Sequence, residues 1–309
     1  MILSAGLTPA WQQILTFDSL RLGEVNRAAR AVWCASGKVF NAGIAAHHLG
    51  GPSMTLAPVG GPAAGAIEAD LSELGVPHRL IHTAAATRVC TTVIDESTGT
   101  MTELVENGRA MSAGELEEFR LAYAEYAAKA DVVVLIGSLP AGAPESYYRE
   151  LMELTPCPAV LDFRGQGLLS VLDLKPLLVK PNREELARTV GGPVETDAEL
   201  LGAMRWLNDR GARHVLVTQG PGAVWLSGAG KAWRLSPPAI ADVVNPIGSG
   251  DAVAATIAWA CRAGMPMLEA ARLAIAAAGQ NCRQLLPCRL DPSTLPAEAA
   301  RVTVETIKL

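Results

Sequence analysis

The chain has 309 residues with 26 basic and 31 acidic side chains, a formal charge of −5, and is 50% hydrophobic. A chain this long and apolar can bury its own core without metal or disulfide staples. Its mild acidity and lack of a lysine or arginine run argue against nucleic acid as a partner. No apolar stretch reaches the roughly 20 residues needed to span a bilayer, so a membrane is not expected as a partner either.

Strand and helix signals alternate along the chain. In order, the pattern predicts a strand at 1–6, a helix at 41–50, a strand at 54–60, and helices at 63–75 and 113–130. Strands follow at 132–137, 159–162 and 177–180, then helices at 182–190 and 197–211, a strand at 214–218 and a helix at 250–263. Strands feeding helices imply a doubly wound, mostly parallel sheet whose ligands sit at the carboxyl ends of its strands. Residues 1–309 read as one domain. Two stretches break the rhythm, about 11–35 and 86–106, and look like small antiparallel β pieces that could join as a lid above the strand ends. The six cysteines are scattered without a CxxC pair, and the opening MILSAGLTPAWQQ has no basic leader, which leads to the expectation of a reducing, cytoplasmic setting. Cys282 and Cys288 lack nearby histidines and read as inert thiols rather than metal ligands.

The segment DVVNPIGSGD (242–251) runs into the alanine-rich AVAATIAWA. Gly248, Ser249 and Gly250 leave backbone N–H groups at a helix N-terminus, where partial positive charge favours an anion. Asp251 on that first turn either caps the helix or does chemistry there. In LVKPNREEL (178–186), Asn182 and Glu185 share a helix face, which is the pattern of a capping box. In HVLVTQGPGA (214–223), a strand meets a Gly-Pro-Gly turn, by itself a generic chain reversal. IGSLPAG (136–142) and Asp162 are strand-to-loop exits.

Together, NPIGSGDA, N-x-x-E, GSLP and the loop after Thr218 resemble the signatures of the ribokinase-like (pfkB) carbohydrate kinases. The resemblance runs from about residue 10 to 290. It implies a three-layer α/β/α sandwich with a mostly parallel central sheet and a small β-sheet lid. It also implies ATP and magnesium as cofactors, with the glycines as an anion hole and Asp251 as the base that takes the acceptor's proton. By the same resemblance Asn182, Thr218, Gly220, Gly222 and Asn281 lie beside ATP, Glu185 holds magnesium through water, and Ser138 borders the substrate. A homodimer formed through the lid is expected.

GEVN (23–26), ASGKVFN (35–41), Thr87-Arg88 and TELVENG (102–108) are most similar to the 1-phosphofructokinase and tagatose-6-phosphate kinase branch. That similarity implies a sugar phosphate as acceptor. Lys38 and Arg88 would hold its phosphate, Asn41 would contact sugar hydroxyls, and Gly37 and Gln12 would line the site. Without the resemblance, Lys38 is a turn residue and Arg88 a surface charge. The chain departs from the pattern at Thr8 and Gln12, where Asn and Asp are usual, and at Val39 and Cys90. A glutamine offers one acceptor and two donors where the aspartate offers acceptors alone. A kinase of an unphosphorylated sugar or nucleoside, and a metabolite-binding protein without activity, are the competing readings. Dinucleotide-dependent oxidoreductases are excluded because Val253 and Trp225 occupy the third glycine position of G-x-G-x-x-G, and P-loop kinases because no GxxxxGK[ST] is present.

Overall fold

In the computed structural model, which describes residues 1–307, a ten-stranded sheet forms the centre of the molecule. The strands are β1 (Ile2–Ala5), β4 (Ser53–Gly60), β5 (His78–Thr83), β8 (Val132–Ile136), β9 (Ala159–Asp162), β10 (Leu178–Val179), β11 (His214–Val217), β12 (Val224–Gly228), β13 (Lys231–Ser236) and β14 (Thr303–Ile307). Their order is β14-β13-β12-β11-β10-β9-β8-β1-β4-β5. From β11 to β5 all neighbours are parallel, and the edge β11 to β14 is antiparallel. The winding reverses between β1 and β8, which leaves a crevice at their carboxyl ends.

The parallel strands are apolar on both faces, as burial between two helix layers requires. In β8, Val132, Val134 and Ile136 enter the core on one side and Val133 and Leu135 the core on the other. The first layer contains α1 (Lys38–His48), α2 (Ala63–Glu73), α8 (Ser249–Arg262) and α9 (Met267–Cys282). The second contains α3 (Ala113–Ala127), α4 (Tyr147–Glu153), α6 (Arg183–Val190) and α7 (Asp197–Asp209). Helix α8 is apolar almost all round and packs on α1, α9, β8 and β9. Its alanines let those neighbours close in, and its N-terminus is thereby fixed near the strand ends.

The expected lid stretches contain β2 (Ala10–Phe17), β3 (Arg30–Ser36), β6 (Arg88–Asp95) and β7 (Thr100–Val105). These strands pair as one sheet in the order β3-β2-β6-β7. Each stretch is an antiparallel pair, and β2 joins β6 in parallel, with Ala10 opposite Arg88. The sheet leaves the main body at the carboxyl ends of β1 and β5 and returns into α1 and α3.

Strands β5, β12, β13 and β14 and helix α9 carry no clear signal in the sequence pattern. β12 is buried throughout, β14 is exposed along nearly its whole length and β13 is mixed, so none alternates cleanly, and the alanine-rich α9 is too apolar to show a period. All six cysteines are free thiols, and no helix among the described residues is long and apolar enough to cross a membrane.

Gly6 follows β1 at the switch point, and a Cβ added there would lie 2.2 Å from the Ile136 carbonyl oxygen. Gly6→Ala therefore pushes β1 from β8 and is expected to cost about 1–3 kcal/mol. The measurement is the urea midpoint, which should fall at unchanged slope. An unmoved midpoint would show that the two strands part without cost.

Candidate active site

The crevice is built from two helix starts and three strand ends. Helix α8 has Gly248 as its N-cap, with φ 87°, and no side chain caps it. Gly248 is required there for its left-handed backbone and for space, since a Cβ would meet Pro287 at 2.9 Å and the Cys288 sulfur at 3.2 Å. Asp251 is the third residue of the helix, yet it does not act as a cap. Its Oδ2 instead accepts a hydrogen bond from Asn41 Nδ2 at 2.8 Å, and Asn41 Oδ1 accepts one from Ser36 Oγ at 3.0 Å. The first N–H groups of α8 are thus left without a side-chain partner, as an anion-binding turn requires. Helix α1 begins in the same manner, from Gly37 with φ 80° and no side-chain cap.

Between these helix starts lies a buried ion cluster. Asp162, at the end of β9, is 1% exposed and takes Lys38 Nζ at 2.8 Å and Lys180 Nζ at 2.9 Å. Lys38 also stands 3.7 Å from Glu185 Oε1, as does Arg164. A Cβ on Gly250 would sit 3.3 Å from Lys180 Nζ, so that ammonium lies against the glycine turn.

Two carboxyl groups in one cleft are driven apart in acidity by their surroundings. Burial opposes ionisation of Asp162, but Lys180 and Lys38 outweigh it and hold the carboxyl below its usual range. Burial raises Asp251 to about 7, against the lowering effect of Lys38, with the Asp162 charge raising it further and the Asn41 hydrogen bond lowering it. Desolvation works against the charge on Lys38, while Asp162, Glu185 and Asp251 more than restore it and leave the ammonium harder to deprotonate than usual.

The residues singled out from sequence fall into three groups. Gly248, Ser249, Gly250, Asp251, Asn41, Gly37, Lys38 and Glu185 converge on the crevice. Ser138 stands beside it, with its backbone and hydroxyl oxygens 3.3 and 3.4 Å from Thr8 Oγ1. Thr218 pairs with Asn182 in an isolated bridge, and Gly220 and Gly222 form an exposed turn in which Gly222 N–H donates to the Gln219 carbonyl at 2.8 Å.

The remaining residues have partners within the protein. Lys38 Nζ is paired with Asp162 and stands 3.7 Å from Glu185. Arg88 donates from Nε to the Pro9 carbonyl at 3.2 Å, from Nη1 to Glu106 at 3.1 Å and from Nη2 to Thr8 at 3.0 Å, lacing the lid to the main body. Gln12 is buried within the lid and donates to Thr92 Oγ1 at 2.7 Å. Asn281, expected beside ATP, is fully buried. Its Nδ2 donates to the Ile247 carbonyl and Ser249 Oγ, both at 2.9 Å, and its Oδ1 accepts from Cys288 N–H at 2.7 Å, so it shapes the glycine turn. Lys180 was missed in the sequence, although it sits in the quoted LVKPNREEL; its burial is set by tertiary packing that no local pattern reports.

Asn182 and Glu185 form the full capping box of α6, Asn182 Oδ1 accepting from Glu185 N–H at 2.8 Å and Glu185 Oε2 from Asn182 N–H at 3.0 Å. Only Glu185 Oε1 is left to face the crevice. Among the described residues no three His, Cys, Asp or Glu side chains are grouped to hold a metal. A single carboxylate oxygen, with Lys38 and Arg164 each 3.7 Å from it, suits a magnesium ion that keeps its water shell rather than one caged by protein.

The sequence pattern that defines the pfkB family of carbohydrate kinases matches residues 6–292. The chain belongs to that family. It is an ATP-dependent carbohydrate kinase, and solved structures agree on its fold. A Thermotoga maritima protein described as a possible 1-phosphofructokinase is 22% identical, each chain covering 100% of the other, with a TM-score of 0.91. The tetrameric inhibited form of Escherichia coli phosphofructokinase-2 is 23% identical over 97% of this kinase and 99% of that chain, with a TM-score of 0.87. The same E. coli enzyme in complex with fructose-6-phosphate is 22% identical over 97% and 100%, with a TM-score of 0.83.

A carboxyl near pH 7 in the folded state and near 3.8 when unfolded binds more protons when folded, so its contribution is present at low pH and is lost as pH rises through 7. Asp251→Asn removes that dependence. Relative to the wild type, the variant is expected to gain on the order of 1–3 kcal/mol between pH 5 and pH 8. Urea unfolding at the two pH values checks it, and parallel curves would place Asp251 in contact with water.

Proposed function

We propose that this kinase transfers the terminal phosphoryl group of ATP to a hydroxyl of a sugar phosphate of the fructose 1-phosphate or tagatose 6-phosphate type, with Asp251 as general base. The observation that carries the reading is the first turn of α8, which no side chain caps and where a carboxyl with no capping duty is held by Asn41 beside the N–H of Gly250.

Asp251 would accept the acceptor's proton through the oxygen not engaged by Asn41. A carboxyl poised near 7 is suited to that task at neutral pH, because it is available as a base and still strong enough to take the proton. Phosphoryl transfer has a loose transition state with charge on the migrating group's oxygens, so fixed donors and cations contribute most. The N–H group of Gly250 and the ammonium of Lys180 are placed for that, while Lys38 links the acceptor side to Asp162. Glu185 would hold a magnesium ion through water, and the bound metal would neutralise charge on the phosphate oxygens. Lid closure would exclude water and suppress ATP hydrolysis. The sugar phosphate bound by the E. coli relative and that relative's tetrameric form support a phosphorylated acceptor and self-association, here proposed as a homodimer through the lid. A cytoplasmic location accords with six free thiols.

Asp251→Asn is expected to lower kcat by about 10²- to 10⁴-fold with ATP affinity nearly kept. In the wild type, kcat/KM should rise with pH through about 7 as Asp251 loses its proton, and that limb should vanish in the variant. ATP consumption measured against panels of phosphorylated and free sugars checks the acceptor. Turnover of free sugars alone would overturn the sugar-phosphate reading, and none with either panel would leave a binding protein.

A further inference from the structure

Ser36 closes β3, the lid strand that runs into α1, and is 1% exposed. Its place is fixed from two directions. Ala10 pairs with it across the lid, and the N–H of the preceding Ala35 donates to Asp70 Oδ2 of α2 at 2.7 Å. The Ser36 hydroxyl thus sits on a stem that the main body holds, and from there it donates to Asn41 Oδ1 at 3.0 Å.

Ser36, Asn41 and Asp251 form a line of two hydrogen bonds from that stem to the carboxyl of α8, and all three residues are buried. An ionised carboxylate only accepts, so Asn41 must turn its NH2 group toward Asp251 and its carbonyl oxygen away. Among the described residues, Ser36 is the one donor to that oxygen. Without the hydroxyl, Asn41 Oδ1 becomes a buried acceptor with nothing to accept, a condition that costs more than a single hydrogen bond contributes. The amide then gains by rotating toward another donor, and rotation takes its NH2 group off Asp251.

On the reading of Asp251 as base given above, we infer that Ser36 is a positioning residue: by fixing which way round the Asn41 amide sits, it keeps one carboxyl oxygen of Asp251 occupied and the other turned to the acceptor hydroxyl. Ser36 acts through Asn41. The other groups that act on this carboxyl are Lys38 at the start of α1, Asp162 at the end of β9, Lys180 after β10 and the Cys288 thiol, which burial keeps protonated. Substitution of Ser36 leaves those four in place and weakens a hydrogen bond that favours the charged carboxylate.

The test follows the Asp251 carboxyl carbon by NMR titration of the full chain, with the signal assigned by its loss in Asp251→Asn. The wild type is compared with Ser36→Ala, Asn41→Ala and the double variant. Ser36→Ala should raise the titration midpoint by about half a pH unit to one unit, and the double variant should match Asn41→Ala. Ser36→Thr, which restores the hydroxyl on a residue suited to a strand, should return the midpoint to that of the wild type. In turnover of ATP with fructose 1-phosphate, Ser36→Ala should lower kcat about two- to tenfold at pH 6 and less at pH 9, with KM for ATP unchanged. A merely structural role would lower kcat alike at every pH and leave the carboxyl titration where it was. An unmoved midpoint in Ser36→Ala, or the same shift with and without Asn41, overturns the inference. A carboxyl that shifts while the pH dependence of turnover stays put counts for the hydrogen-bonded line and against Asp251 as base, so the two failures are read separately.

Discussion

Asp162 lies between the ammonium groups of Lys38 and Lys180 with almost no access to water, and the architecture of the crevice depends on that arrangement. The three side chains come from the start of α1, the end of β9 and the residue after β10, so their attraction gathers elements that the sheet alone would leave splayed. Burying charge is costly unless each group is compensated. The loss of the carboxylate would leave two lysines facing each other beside the glycine turn. The same cluster sets the character of Asp251: Asp162 takes up most of the available positive charge, so burial prevails at Asp251 and keeps its carboxyl close to neutrality.

The layers were legible because parallel strands buried on both faces must be apolar throughout, and 132–137 and 159–162 satisfy that without ambiguity. The lid was legible as β structure from the alternation and turn at 86–106. The parallel pairing of β2 with β6 was not, since it joins residues nearly 80 positions apart and has no local signature. In the antiparallel edge β12 and β13 join through a short hairpin, and only β14 pairs with a strand distant in sequence.

At the site, motifs reported which residues gather but not how they are partnered. Asn182 and Glu185 were read both as a capping box and as nucleotide-side groups; the capping box is formed, and the second Glu185 oxygen stands 3.7 Å from Lys38 in the crevice. Asn281 and Arg88 illustrate the opposite. The resemblance implied a ligand-facing role for each, and the side chain of each is engaged with backbone groups. At the departure Gln12, the amide donates to Thr92 inside the lid.

The bonding of Arg88 has a consequence for how the protein can diversify. The Arg88 guanidinium, itself at the start of β6, ties two carbonyls of the chain's first passage into the lid and one of its last passage out, and a Cβ on Gly37 would meet the backbone of Pro9 and Ala10 at about 3 Å. The passages are thus sewn into a common seam, and the small sheet is a plate attached along one edge. Surfaces on that plate can drift or be exchanged as a cassette while the phosphoryl-transfer machinery beneath stays fixed, provided the seam travels with it.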